Sequence, residues 1–274
     1  MKIIVFNGGL GNQLFEFAYY QYLKGKFPTE SFYAYIPQKA HEVHNGIEIE
    51  KWFEAELPMS CKYVDLIAKI IILIDKVFRH LAIPIHVLSS DSYFSENKLL
   101  QMGTFQKKSF CKYASLHFKK YEDLGGEENI NLLKMIHATN SVAVHVRRGD
   151  YLIPELKKQY GGLCTLSYYQ KAIAEINKRI DNPMFFFFSD DPVFVEKHFL
   201  FKNKIVVSCN SGNRSFYDLY LMSHCKNMII ANSTFSWWAA FLNKNVEKVY
   251  CPIRWNNIKP YPDLVMDGWQ VVNP

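Results

Sequence analysis

Apolar positions follow two rhythms along this chain. In the second half, short continuous apolar runs alternate with stretches spaced like helix faces. Ser141–Arg147, with its V-A-V-H-V alternation, and the continuous apolar Met184–Phe188 read as strands. Between them, Tyr169, Ala172, Ile173 and Ile176 mark one face of a helix over Ser167–Ile180, with Ser167 placed to cap it. Further strands are expected at Lys204–Val207, Asn227–Ala231 and Glu247–Cys251, and helices at Ser215–Cys225 and Thr234–Leu242. Strands alternating with helices predict an α/β fold, a parallel sheet between helical layers.

The first half is less regular. A strand at Lys2–Phe6 runs through a glycine turn into a helix near Asn12–Lys24, and another strand is expected near Ser31–Ile36. Ile47–Leu57 and Val64–Leu81 have helical spacing; Ile85–Val87 and Ser92–Phe94 suggest short strands. Order is weaker at Asn97–Gln101, Tyr113–Lys120 and Ile130–Ala138, and Glu122–Asn129 reads as a surface loop. A domain boundary is expected near residue 138, dividing 1–138 from 139–274.

Leu66–Val77, LIAKIIILIDKV, is interrupted by Lys69, Asp75 and Lys76. Its unbroken apolar run, Ile70–Ile74, is far shorter than the roughly 20 residues that span a bilayer. A core helix is the first reading and a face lying on a membrane surface the second.

Composition narrows the class. Apolar residues make up 49% and charged residues 21%, which excludes a disordered chain. A net charge of +6 suits an anionic ligand or membrane surface but is too small to indicate nucleic acid, and none is expected as a partner. Six scattered cysteines without a C-x-x-C pair suggest reduced thiols in a cytoplasmic protein, and no signal-peptide pattern precedes the first strand. A peripheral position at the inner face of the membrane is the alternative.

Ligands of parallel sheets sit beyond the carboxyl ends of the strands. That rule selects the loops after Val146, Phe188, Val207 and Ala231. The first is His145-Val146-Arg147-Arg148-Gly149-Asp150-Tyr151. Two adjacent arginines repel unless an anion offsets them, and a diphosphate suits their forked donors. Asp150 could orient one arginine; a surface salt-bridge cluster is the plainer reading. Asn232-Ser233-Thr234-Phe235 lies where a strand meets a helix, a place for an anion or for simple capping by Ser233. Trp237 and Trp238 read as core packing. Asp190 and Asp191 could accept the N–H groups of a guanine edge, or cap the next helix. No D-x-D metal motif is clear, so no metal is expected. Gly8-Gly9-Leu10-Gly11-Asn12-Gln13 lacks a dinucleotide fingerprint, since Leu14 stands where glycine is needed. Gly9 and Gly11 allow close approach, and Asn12 and Gln13 project at a helix start; a plain strand–helix turn is the alternative. His41 and His44 read as a loop feature.

Taken together, G-G-L-G-N-Q-L-F-E-F-A, H-V-R-R-G-D-Y, F-F-S-D-D and D-L-Y-L-M-S-H-C-K-N-M-I-I-A-N-S-T-F-S-W-W-A-A-F-L-N resemble glycosyltransferase family 11, the α-1,2-fucosyltransferases, in bacterial form. The resemblance implies a GT-B architecture, two Rossmann-like domains facing across a cleft. The N-terminal domain would lean towards the acceptor and the C-terminal one would hold GDP-β-L-fucose. It also implies an inverting, metal-independent reaction without a cofactor, GDP-fucose being the donor substrate. The acceptor would be an oligosaccharide or glycolipid-linked glycan. By match, Arg147 and Arg148 grip the diphosphate with His145 alongside, and Asp190 or Asp191 reads guanine. Ser233, Thr234 and Phe235 contact phosphate and ribose, and Asn12 lies near the reacting sugar. Ala239 stands where glycine is expected, a minor departure. About 30–130 carries no family signature.

Overall fold

Most of the expected strands form, and every ladder between them is parallel. The computed structural model describes residues 1–42, 44–120, 124–258 and 263–273. It divides into two compact units, 1–119 and 120–274.

In the first unit, β1 (Lys2–Val5) turns at Gly8, whose φ of +75° favours glycine, into α1 (Leu10–Lys26). There follow β2 (Phe32–Tyr35), α2 (Gln38–Glu42), α3 (Ile49–Trp52), α4 (Lys62–His80), β3 (Leu100–Gln101) and α5 (Lys108–Cys111). The sheet runs β2-β1-β3. Val64 and Ala68 of α4 pack on Ile3, Val5, Tyr35 and Leu100. Ile67, Ile71 and Ile72 pack, partly buried, against the same cluster, whereas Leu66, Ile70 and Leu73 on the other face are exposed. The core-helix reading therefore holds for one face of α4 and fails for the other.

Two other expectations are corrected. The helix expected over Ile47–Leu57 ends at Trp52, because Phe53 turns extended and bridges Phe118. Ile85–Val87 and Ser92–Phe94 are not strands; Ser89 alone pairs beside Gln101.

The second unit contains α6 (Glu127–Ala138), β4 (Asn140–Val146), α7 (Pro154–Tyr160), α8 (Leu166–Arg179), β5 (Pro183–Ser189) and α9 (Pro192–His198). It continues with β6 (Lys204–Val207), α10 (Phe216–Met222), β7 (Asn227–Ile229), α11 (Thr234–Leu242), β8 (Lys248–Pro252) and β9 (Gln270–Val272). Because α6 packs on β4 and α10, the boundary falls before it rather than near 138. Of the loop expected at Glu122–Asn129, Glu122 and Asp123 lie outside the described residues, and Glu127–Asn129 open α6. Helix α8 is capped by Thr165, whose Oγ1 accepts the Tyr168 N–H at 3.3 Å; Ser167 lies inside the first turn.

The sheet order is β6-β5-β4-β7-β8-β9. The chain winds outward from β4 in one direction, then restarts beside β4 in the other. This doubly wound order places a ligand crevice at the carboxyl ends of β4 and β7, where the winding reverses. Val142, Val144 and Val146 pack with Tyr168, Tyr169, Ala172 and Ile176 of α8. His145 points the other way and reaches Ser236 of α11. Trp237 and Trp238 are fully buried core residues.

Candidate functional site

Strand register decides which side chains meet beyond this sheet. Val146 of β4 lies opposite Ser189 of β5, so Arg147-Arg148 and Asp190-Asp191 leave the two strands side by side. Arg147 Nη1 is 2.8 Å from Asp190 Oδ2, and Arg148 Nε is 2.9 Å from Asp191 Oδ2. The Arg148 backbone N–H donates to Asp190 Oδ1 at 2.8 Å. Ser189 Oγ donates to the Val146 carbonyl at 2.8 Å and accepts the Asp191 N–H at 3.0 Å, fixing the turn. Asp191 also caps α9 by accepting the Phe194 N–H at 3.0 Å. That bond and the Arg148 guanidinium hold its carboxyl below the ordinary value. Arg148 lies 3.6 Å above the Phe194 ring centroid, a cation–π contact.

Arg147 Nη2 is also 2.8 Å from Asp150 Oδ1, and its guanidinium lies 5.7 Å from the Tyr151 ring centroid. Tyr151 stacks on Tyr160 and donates to the Asn232 carbonyl at 2.9 Å. The β4 loop is thereby tied to the β7 loop.

Two guanidinium groups thus meet three carboxylates. The anion that offsets their repulsion is already supplied within the chain, so both the salt-bridge reading and the capping reading of the acidic pair describe real contacts. The pairing nevertheless leaves donors open. Arg148 is held through Nε, leaving both Nη groups without a described protein partner; Arg147 is held through its Nη groups, leaving Nε. Both side chains remain 30% exposed. The carboxylates act as props that fix both guanidinium groups beyond the sheet, with the Arg148 fork left open. Gly149 is required for this: a Cβ there would sit 2.7 Å from Asp190 Oδ2.

On the β7 side, Ser233 caps α11, its Oγ accepting the Phe235 N–H at 3.3 Å. Thr234 and Phe235 are half-buried at the helix start. His145 is only 6% exposed, and its Nδ1 lies 2.8 Å from Ser236 Oγ. Burial lowers its pKa to about 4, so it is neutral near pH 7. It joins β4 to α11 and offers no positive charge to a phosphate.

In the first unit, Gln13 is also corrected. It is fully buried; its amide donates to the carbonyls of Gly8 and Gly46 and accepts the N–H groups of Glu48 and Ile49. It is a structural bracket. Gly9 precedes α1 and Gly11 is buried within it. Asn12 is half-buried, its Oδ1 accepting from Gln106 Nε2 at 3.2 Å. Sequence reasoning missed Glu16, one helical turn on. It is fully buried, Oε2 accepts the Asn7 N–H at 2.9 Å, and Oε1 has no hydrogen-bond partner. Burial raises its carboxyl well above the ordinary value. A lone carboxylate within L-F-E-F-A was the available signal. Tyr151, Phe194 and Ser236 were missed too, because their roles are contacts between loops.

Comparison with known proteins follows from this geometry. The family description "Glycosyl transferase family 11" matches residues 2–258. An α-1,2-colitosyltransferase of Escherichia coli is 31% identical, over 96% of this chain and 98% of that protein. A galactoside 2-α-L-fucosyltransferase of Caenorhabditis elegans is 28% identical over 51% of this chain and 40% of its own. Among solved structures, the NodZ α-1,6-fucosyltransferase of Bradyrhizobium superposes with a TM-score of 0.51 at 14% identity, covering 88% of this chain and 91% of its own. That likeness concerns the fold, which is GT-B, as expected. With the family description matched over nearly its whole length, this chain belongs to glycosyltransferase family 11.

Proposed function

We propose that this glycosyltransferase moves L-fucose from GDP-β-L-fucose to the 2-hydroxyl of a β-galactoside in a glycan acceptor, inverting the anomeric centre without a metal ion. The observation that carries the reading is the pair of propped arginines at the β4–β7 reversal, beside the start of α11. An acceptor oxygen bonds to the anomeric carbon as the bond to the β-phosphate oxygen breaks. GDP leaves with the electron pair, and the acceptor proton passes to a base. Negative charge grows on the diphosphate, where the open N–H groups of Arg147 and Arg148 and the first turn of α11 stabilise it. These donors take the electrostatic part a metal ion plays elsewhere. Asp150 serves in this reading as the support of Arg147 rather than as the base. Of the acidic pair, Asp191 would share with guanine oxygens that already accept bonds, while Asp190 stays the prop of Arg147. Asn12 is the first-unit residue assigned to the reacting sugar.

A second reading is α-1,2 transfer of colitose, favoured by the full-length match to a colitosyltransferase. One experiment separates the two. GDP-fucose, GDP-mannose, UDP-sugars and nucleotide-linked colitose are each offered with a panel of β-galactosides, with and without EDTA, and GDP release and product linkage are measured. Turnover of GDP-fucose into an α-1,2 product, unaffected by EDTA, is expected. Turnover of the colitosyl donor alone would assign the second reading. Donor binding without acceptor-dependent GDP release would mean a binding protein.

A further inference from the structure

The face of α4 that misses the core has its own order. Tyr63, Leu66, Ile70, Leu73, Val77 and Leu81 are 44–71% exposed and recur at helical spacing, forming one apolar stripe along α4 and its C-cap. Ile74 widens it. Lys62, Lys69 and Lys76, all exposed, recur every seventh position and form a row along one margin. No described carboxylate pairs with any of them, whereas Arg79 is taken by Asp75 at 2.5 Å. Isolated exposed apolar residues need no explanation, but a continuous stripe does.

What covers this stripe follows from its margin. A second copy of the same helix could bury the apolar residues, with Tyr63, Leu66, Ile70, Leu73 and Val77 as the a and d positions of a coiled coil. The lysines would then occupy g positions. In an antiparallel pair they would face each other. In a parallel pair they would face Ile67, Ile74 and Leu81, which offer no opposite charge. Neither arrangement supplies a carboxylate. A bilayer carrying anionic phospholipid supplies both halves: acyl boundary for the stripe and negative headgroups for lysines reaching up along its edge. Among the described residues no helix is long and apolar enough to cross a membrane, so the helix would lie in the surface plane.

We infer that α4 docks this protein on an anionic phospholipid surface through the stripe Tyr63–Leu81 and the lysine row 62, 69 and 76. The inference is independent of the donor sugar. Its test is flotation of the full chain with phosphatidylcholine–phosphatidylglycerol vesicles against pure phosphatidylcholine vesicles. Binding to the anionic vesicles alone is expected. At about fivefold per lysine, the variant Lys62→Gln/Lys69→Gln/Lys76→Gln is expected to bind roughly a hundredfold more weakly. Ile70→Gln/Leu73→Gln, which alters only exposed positions, is expected to abolish binding even at low salt. GDP release with a soluble acceptor reports that both variants remain folded and active. Failure to float, or equal flotation of wild type and variants, overturns the inference. So does a dimer in sedimentation that Ile70→Gln/Leu73→Gln converts to monomer, because the stripe then belongs to a second copy.

Discussion

Replacing Gly149 by alanine separates aiming from charge at the arginine pair. The new Cβ would lie 2.7 Å from Asp190 Oδ2 and 3.2 Å from its Cγ, so the carboxylate must swing away. Its two bonds go with it, one to Arg147 Nη1 and one to the Arg148 N–H. Asp190 is partly exposed and meets water once displaced, so the fold loses about 1 kcal/mol or less. The rate is more sensitive. A preorganised donor to a developing oxyanion contributes about 3 kcal/mol, a factor of ~10². Releasing Arg147 from one of its two props, with Asp150 still holding the other side, lets the guanidinium turn away and forfeits most of that, so kcat is expected to fall about a hundredfold. Affinity for GDP is expected to hold or tighten, because a carboxylate has left the neighbourhood of both guanidinium groups. Steady-state kinetics of GDP release, calorimetric titration with GDP and a thermal melt read the three quantities. If kcat stayed within about twofold of the wild type, the props would not matter to catalysis. If kcat and GDP affinity fell together, Asp190 would be touching the nucleotide itself.

Three further outcomes are expected. Arg148→Lys loses the Nε bond to Asp191 and the planar contact on Phe194, and kcat/KM is expected to drop ~10²; parity with the wild type would remove Arg148 from the site. His145 titrates at about 4 when folded against an ordinary 6.5. The unfolded chain therefore takes up its proton first, and stability falls as pH drops through that window, by ~3 kcal/mol in full. His145→Gln is expected to flatten that loss in urea titrations at about pH 7.5 and about pH 4.5, and an unchanged acid-side loss would refute it. Gln13→Leu strands two carbonyls and two N–H groups in the interior, at a cost of at least ~3 kcal/mol in urea unfolding. An unchanged midpoint would show that the bracket is dispensable.

Sequence disclosed what has a local cause. Ser141–Arg147 and Met184–Phe188 were legible because parallel strands buried on both faces are largely apolar, and α11 begins at Thr234, after its serine cap. Long-range causes were hidden. Only the β4–β5 register, Val146 opposite Ser189, reveals that Arg147 and Arg148 meet Asp190 and Asp191. No local pattern encodes that pairing, so the props read as rival hypotheses: an anion site, a cap, a salt bridge. Gln13 looked like a ligand contact because its amide partners lie 33–36 residues away. For α4, spacing gave the helix but could not say which of its apolar side chains met a core and which met solvent. Helix α3 stopped early because Phe53 found Phe118.

Winding the second sheet outward from β4 also has a consequence during biosynthesis. β4 is the central strand and the first of its sheet to be made, yet β7 must arrive before its second edge is closed. Roughly 80 residues separate Val146 from Asn227. At about 5–20 residues per second on a ribosome, β4 waits for several seconds with one edge bare. The phenylalanine-rich β5 can close only the other edge. For that interval the nascent chain carries an unpaired V-A-V strand, a template for mispairing with other chains. Slower synthesis lengthens that wait, so soluble yield is expected to depend more on chaperone supply than on the stability of the finished enzyme.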